Sequence, residues 1–413
     1  MLRPKIVTLA ALALAALAAG PSWALSSPTQ PKTGPGASLD TTGEVVKRAI
    51  GKPGEVTYVF HMASAPEKPR SVVVLLHAWG AANPVVYGAW IDHLARRGHL
   101  VLFPGFQVVG STKPTDATDR AGALIKSALA QLASDPQAKP DPAETFYLAH
   151  SAGTGIAVNL AARAKDLDIP APKLIFALMA GGIAKDDTSR GIRLADLAAI
   201  PEATNLVLMS GDQTNLAADR LSRRILKETS SVPAVRKLFM RSASDDHGFP
   251  PLTATLASPA GPMDGYSSET IKLPTVEEAP KFDAKGRRLR PPPPPRVPWS
   301  VEAQLTGEQR VLLQQVERNT VDTLDWLAYW RVFDMLIATT ETGADLVGLR
   351  QDPSFLDMGR WTDGWPVRRL SAETPKTETS APASGPAPVR TGPPPIQSKQ
   401  PVTRRRFDSR HRH

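Results

Sequence analysis

Three side chains of the right types for nucleophilic catalysis lie far apart in the chain: Ser151, Asp212 and His247. A serine hydroxyl is a poor nucleophile at neutral pH. An imidazole must take its proton, and a carboxylate must orient that imidazole and stabilise its charged form. Ser151 sits in Phe146-Tyr147-Leu148-Ala149-His150-Ser151-Ala152-Gly153, an apolar run that leads into a serine flanked by small residues. Ile156, Leu160, Ala161 and Ala164 then recur at helical spacing. The local pattern is strand, sharp turn, helix, with a hydroxyl at the apex. His247 lies in Ser244-Asp245-Asp246-His247-Gly248, directly after the apolar run Lys237 to Met240, and Asp212 follows Ser210-Gly211 at the end of Asn205 to Met209. Asp219, Asp245 and Asp246 are reserve acids.

The elements that would position these groups are legible as runs. Glu55 to Phe60 alternates and is β-branched, which predicts a strand. Ser71 to Leu76, His99 to Pro104, Lys173 to Met179, Asn205 to Met209 and Lys237 to Met240 are short continuous apolar runs, as expected of strands buried on both faces. Ala89 to Gly98 and Asp116 to Leu132 have helical periodicity. Strands alternating with helices predict an α/β fold with a doubly wound, mostly parallel sheet. Ligands in such sheets sit beyond the carboxyl ends of the strands, where His77, Ser151, Asp212 and His247 all fall.

Ala149-His150-Ser151-Ala152-Gly153 resembles the nucleophile elbow of the α/β-hydrolase superfamily, with alanine in place of the first glycine. His77-Ala78-Trp79-Gly80 resembles that family's strand-end loop, whose N–H groups help form the oxyanion hole, with Ala78 where glycine is usual. The resemblance covers about residues 51–260 and is to the esterase, lipase, dienelactone-hydrolase-like and chlorophyllase-like branch. It implies acyl transfer on Ser151 with His247 as base, in the family order serine, acid, histidine. It implies an oxyanion hole from the N–H of Ala152 and of Ala78 or Trp79, and no metal or organic cofactor. The acid often stands three residues after the strand-end glycine. Thr214 occupies that position, so Asp212, one residue after Gly211, takes the role. The implied substrate is a small-molecule or polymer ester. The rival expectation is a non-catalytic envelope binding protein that keeps the fold with a degenerate triad, as Ala78 and Thr214 would allow.

Composition bounds the remainder. The chain has 413 residues and no cysteine, which excludes a thiol nucleophile, disulfides and thiolate metal sites. Met1-Leu2-Arg3-Pro4-Lys5, then an apolar run from Ile6 to Ala19 and small residues up to Ala24, predict a signal peptide cut after Ala24 and a periplasmic or secreted location. Residues 25–50 are expected to form a flexible lead, 51–257 the core, and 258–303 a proline-rich insertion containing Pro291 to Pro295. Residues 304–371 are expected to form a helical part packing back on the core. There, Gly307 to Arg318 and Val321 to Ala338 are predicted helices, and Trp326, Trp330, Phe333 and Ile337 form a core-facing stripe. The aromatic, turn-rich stretch Phe355 to Pro366 could cover one end of the site as a lid.

Residues 372–413 read as a disordered basic tail. The formal net charge of +9 comes mostly from this tail and the leader, so the body between them is close to neutral. No specific nucleic acid is expected as a partner. The tail is expected to make at most weak contact with anionic surfaces.

Overall fold

Apolar, β-branched runs flanked by amphipathic helices become a nine-stranded mixed sheet in the computed structural model, which describes residues 25–39, 42–186, 188–214, 216–274, 303, 315–316 and 319–374. The strands are β1 (Val45–Lys52), β2 (Glu55–Met62), β3 (Arg70–Leu76), β4 (Leu100–Pro104), β5 (Pro140–His150), β6 (Leu174–Leu178), β7 (Asn205–Gly211), β8 (Lys237–Ser242) and β9 (Ser371–Glu373). Their order is β1-β2-β4-β3-β5-β6-β7-β8-β9. Strands β3 to β8 run parallel, while β1, β2 and β9 are antiparallel to their neighbours. This sheet, covered by helices on both faces and followed by a C-terminal helical part, is the α/β-hydrolase fold.

The order in which strands are added reverses between β3 and β5, because β3 is followed by β4 on one side and has β5 on the other. Such a switch point opens a crevice at the carboxyl ends of the two strands. Leu76 is level with Ala149 in the ladder, so the loop after β3 and the turn after β5 emerge side by side.

One face of the sheet carries α1 (Gly88–Arg96) and the C-terminal helical part. The other face carries α2 (Ala117–Leu132), α3 (Gly153–Ala162) and α4 (Leu216–Glu228). Helix α2 buries Ala121, Leu124, Ile125, Ala128 and Leu132, the stripe read from its spacing. The predicted helix at Val321 to Ala338 starts as a π-helical segment (Leu324–Trp330) and continues as α5 (Arg331–Glu341). Trp330, Phe333 and Ile337 are buried, and Phe333 stacks on Phe176 of β6 at 5.7 Å.

Strand β1 begins at Val45, within residues 25–50 where the sequence suggested a lead, and runs on to Lys52. Its charges, Lys47, Arg48 and Lys52, mark a half-exposed edge strand. Ahead of it, residues 25–39 run along the C-terminal part: Thr323 Oγ1 donates to Pro28 O, and the Gly36 N–H donates to Asp334 Oδ2 at 2.7 Å. The leader, the polyproline run, nearly all of the predicted helix at Gly307 to Arg318, and the basic tail beyond residue 374 lie outside the described residues. No helix among the described residues is long and apolar enough to cross a membrane.

Candidate active site

Ser151 has φ +51°, in the left-handed region that a residue with a Cβ enters only under strain. The turn is held on both sides. The Ser151 N–H donates to Leu178 O of β6 at 2.9 Å, and the Ser151 carbonyl accepts the Thr154 N–H in the first turn of α3. Helix and strand approach so closely here that a Cβ on Gly153 would stand 2.0 Å from Leu76 O. A glycine is therefore required two residues after the serine, the steric reason behind the motif. Ser151 is 7% exposed, and among the described residues its Oγ has no hydrogen-bond partner.

Two buried histidines lie beside the crevice, His150 and His77. His150 is buried between two fixed partners: Nδ1 accepts from Tyr87 Oη at 2.8 Å, and Nε2 donates to Leu256 O at 2.7 Å. Burial pushes its imidazole down to about 4, so it is neutral at pH 7. His77 lies flat on Phe106, centroids 4.0 Å apart, and donates Nδ1–H to Ala78 O. Burial likewise lowers it to about 4. Neither ring hydrogen-bonds the serine hydroxyl among the described residues. Both act as packed scaffold under the strand ends.

The N–H groups at the crevice are divided in use. That of Ala78 donates to Tyr87 Oη at 3.0 Å, and that of Gly80 donates to Gln107 Oε1 at 2.6 Å. The Ala78 donor thus serves the Tyr87–His150 chain. The N–H groups of Trp79 and Ala152 have no acceptor among the described residues. Trp79 is anchored through its indole, which donates to Ala303 O at 3.0 Å.

Asp212 and His247 do not meet. Asp212 accepts the Ser244 N–H through Oδ2 at 2.9 Å and the Ser244 hydroxyl through Oδ1 at 2.5 Å, so it grips the base of the loop rather than the ring. The His247 ring instead pairs through Nε2 with Asp363 Oδ2 at 2.8 Å. It stacks on Trp365, at 5.5 Å and 17°, and leans on Trp361. The Trp365 N–H foremost, and then His247, hold the Asp363 carboxyl below its ordinary value. Asp363 escaped sequence reading because it lies 116 residues beyond His247 in a turn-rich stretch. The stretch reads as a cover; the placing of Asp363 midway between Trp361 and Trp365 was the available signal.

Of the reserve acids, Asp245 is buried and accepts the His247 N–H through Oδ1. Its Oδ2 accepts the Trp361 indole and the Arg368 N–H. Burial opposes its ionisation, but these donors outweigh it and keep its carboxyl low. Asp219 pairs with Arg241, and Asp246 is exposed. His247 and Ser151 share no hydrogen bond among the described residues. No group of three or more His, Asp or Glu among the described residues could hold a metal ion.

No protein-family model matches the chain, and no curated protein matches it. Among solved structures, the chain is similar to one described as "Structural analysis of two fungal esterases from Rhizomucor miehei explaining their substrate specificity". The two are 11% identical over 49% of this chain and 74% of that one, with a TM-score of 0.37. The assignment of the fold rests on the sheet order and the strained turn at Ser151.

Proposed function

We propose that the protein is a serine hydrolase of carboxylic esters. The observation that carries this reading is Ser151 itself: a strained serine at the switch point of the sheet, its hydroxyl unpartnered beside two N–H groups without acceptors. In the proposed reaction, Ser151 Oγ attacks the ester carbonyl carbon while its proton passes to His247. The N–H groups of Trp79 and Ala152 stabilise the resulting oxyanion. The tetrahedral intermediate collapses, the alcohol leaves with the proton from His247, and an acyl-enzyme remains. Water, deprotonated by the same imidazole, then releases the acid. His247 must close on Ser151 for this, and catalytic hydrogen bonds commonly tighten only in the substrate complex. The substrate is a small-molecule or polymer ester.

One observation favours a second reading. His247 is engaged by Asp363, not Ser151, as in a fold retained for binding with its triad dispersed. Hydrolysis of a short-chain nitrophenyl ester by the full chain, with Ser151→Ala alongside, separates the two. Turnover abolished in Ser151→Ala supports the hydrolase, and absence of turnover in the parent protein supports the binding protein. We extend the proposal to a periplasmic or secreted location through residues 1–24, and to weak anionic-surface contact through the basic tail.

A further inference from the structure

We infer that Asp363, contributed from beyond the C-terminal helices, is the carboxylate that positions His247, in place of an acid at the end of β7. The inference rests on the hydrolase reading above for its catalytic consequence, but its structural content stands separately. Asp363 Oδ2 meets His247 Nε2 at 2.8 Å, and Asp363 Oδ1 accepts the Trp365 N–H at 3.0 Å, so both carboxylate oxygens are fixed. The bond dictates the neutral ring's tautomer: Nε2 carries the proton, and Nδ1 keeps its lone pair. Nδ1 has no partner among the described residues, which leaves it free to accept the serine proton. Proton transfer then goes from Ser151 Oγ to Nδ1, and the imidazolium charge is met by Asp363.

The turn that bears Asp363 is tied to the His247 loop at several points. Asp245 joins the two, bonding the His247 N–H on one side and the Trp361 indole and Arg368 N–H on the other. Ser26 and Thr362 exchange two bonds, Ser26 N–H to Thr362 Oγ1 and Thr362 N–H to Ser26 O, both at 3.1 Å. The Phe249 N–H donates to Leu25 O at 2.8 Å. Trp365 covers one face of the imidazole and Trp361 borders it. A ring held by stacking and one carboxylate is a positioned ring. Asp212 makes no such pair: its two oxygens accept the Ser244 N–H and hydroxyl.

The His247 loop carries the charged residues Asp245 and Asp246, and the turn that bears Asp363 also carries Arg360 and Arg368. Arg360 is directed to Gly364 O, and the Arg368 backbone to Asp245. Asp363 is the group that touches the ring.

The test uses the full chain and the variants Asp363→Asn, Asp363→Glu and Asp212→Asn. Nitrogen-15 NMR of the imidazole reads the tautomer without reference to activity. The parent protein and Asp212→Asn should show Nε2–H, and Asp363→Asn should lose that preference, since its amide can donate to Nε2. Asp363→Glu, which keeps the carboxylate, should keep the tautomer. For ester turnover, Asp363→Asn should lower kcat on the order of 10²–10⁴-fold with KM little changed, the signature of a misplaced tautomer. An unaltered tautomer in Asp363→Asn, or a kcat loss larger in Asp212→Asn than in Asp363→Asn, overturns the inference. Failure of the parent protein to label at Ser151 with a phosphonate would remove the hydrolase reading instead, and the tautomer measurement would still decide the role of Asp363.

Discussion

Gly181 faces the hydroxyl of Ser151: a Cβ added to Gly181 would stand 2.9 Å from Ser151 Oγ. Met179, at φ +53° just after β6, turns the chain so that this glycine comes up against the elbow. The atom that would be crowded is the end of a rotatable side chain, so Gly181→Ala should fold normally and push Oγ into another rotamer. Displacement of a nucleophile by about an ångström costs about 10²-fold in rate. Phosphonate labelling of Gly181→Ala should slow by that factor with an unchanged unfolding midpoint. Labelling at the parent rate would mean that Oγ does not work from this position.

Gly153→Ala should behave in the opposite way. Its Cβ would meet the backbone of Leu76 at 2.0 Å, and neither α3 nor β3 can yield without opening the core. Overpacking of this kind costs about 1–3 kcal/mol. Urea unfolding should show the loss directly, and a midpoint equal to that of the parent would contradict the tight strand–helix contact.

Acid should destabilise the protein well above the carboxylate range. His77, His99 and His150 are all lowered by burial to about 4, below the ordinary 6.5 of an unfolded chain. The unfolded state therefore binds more protons between those values. The stability these neutral rings contribute is complete above pH 6.5 and is lost as pH falls toward 4. Urea midpoints measured at pH 7, 5.5 and 4.5 should fall steadily, with these three rings together contributing a proton uptake on unfolding approaching about three near pH 5. His99→Gln should reduce that uptake by one. A flat midpoint across the range would contradict buried neutral histidines.

Asp245 should be the rivet between the His247 loop and the C-terminal turn. Asp245→Ala strips acceptors from the His247 N–H, the Arg368 N–H and the Trp361 indole. A donor left unsatisfied in the interior costs roughly 1–3 kcal/mol. Hydrogen exchange should accelerate across residues 359–368 while β5, β6 and β7 keep their protection. Uniform acceleration, or none, would show that the turn is held by other contacts.

How much of this was legible in sequence follows from what each element buries. Strands β3 to β8 and their helices were readable because a parallel sheet covered on both faces needs continuous apolar runs. Strand β1, with Lys47, Arg48 and Lys52 on a half-exposed edge, lacks that signature, and β9 is only three residues long. Ser151 was readable because the elbow's sterics demand small neighbours in the local sequence. Tyr87, which takes the Ala78 N–H, carries no local signal of that role, since the contact depends on how α1 docks beneath the strand ends. Asp363 was hidden for the same reason: its partner is decided by tertiary packing, and a motif reports only local constraint.

The most direct test of the central claim is intact-mass analysis of the full chain after exposure to a fluorophosphonate, with Ser151→Ala in parallel. The account predicts one covalent adduct, mapped to Ser151 by peptide analysis and absent from Ser151→Ala. An unmodified parent protein, or an adduct that persists in Ser151→Ala, would contradict it.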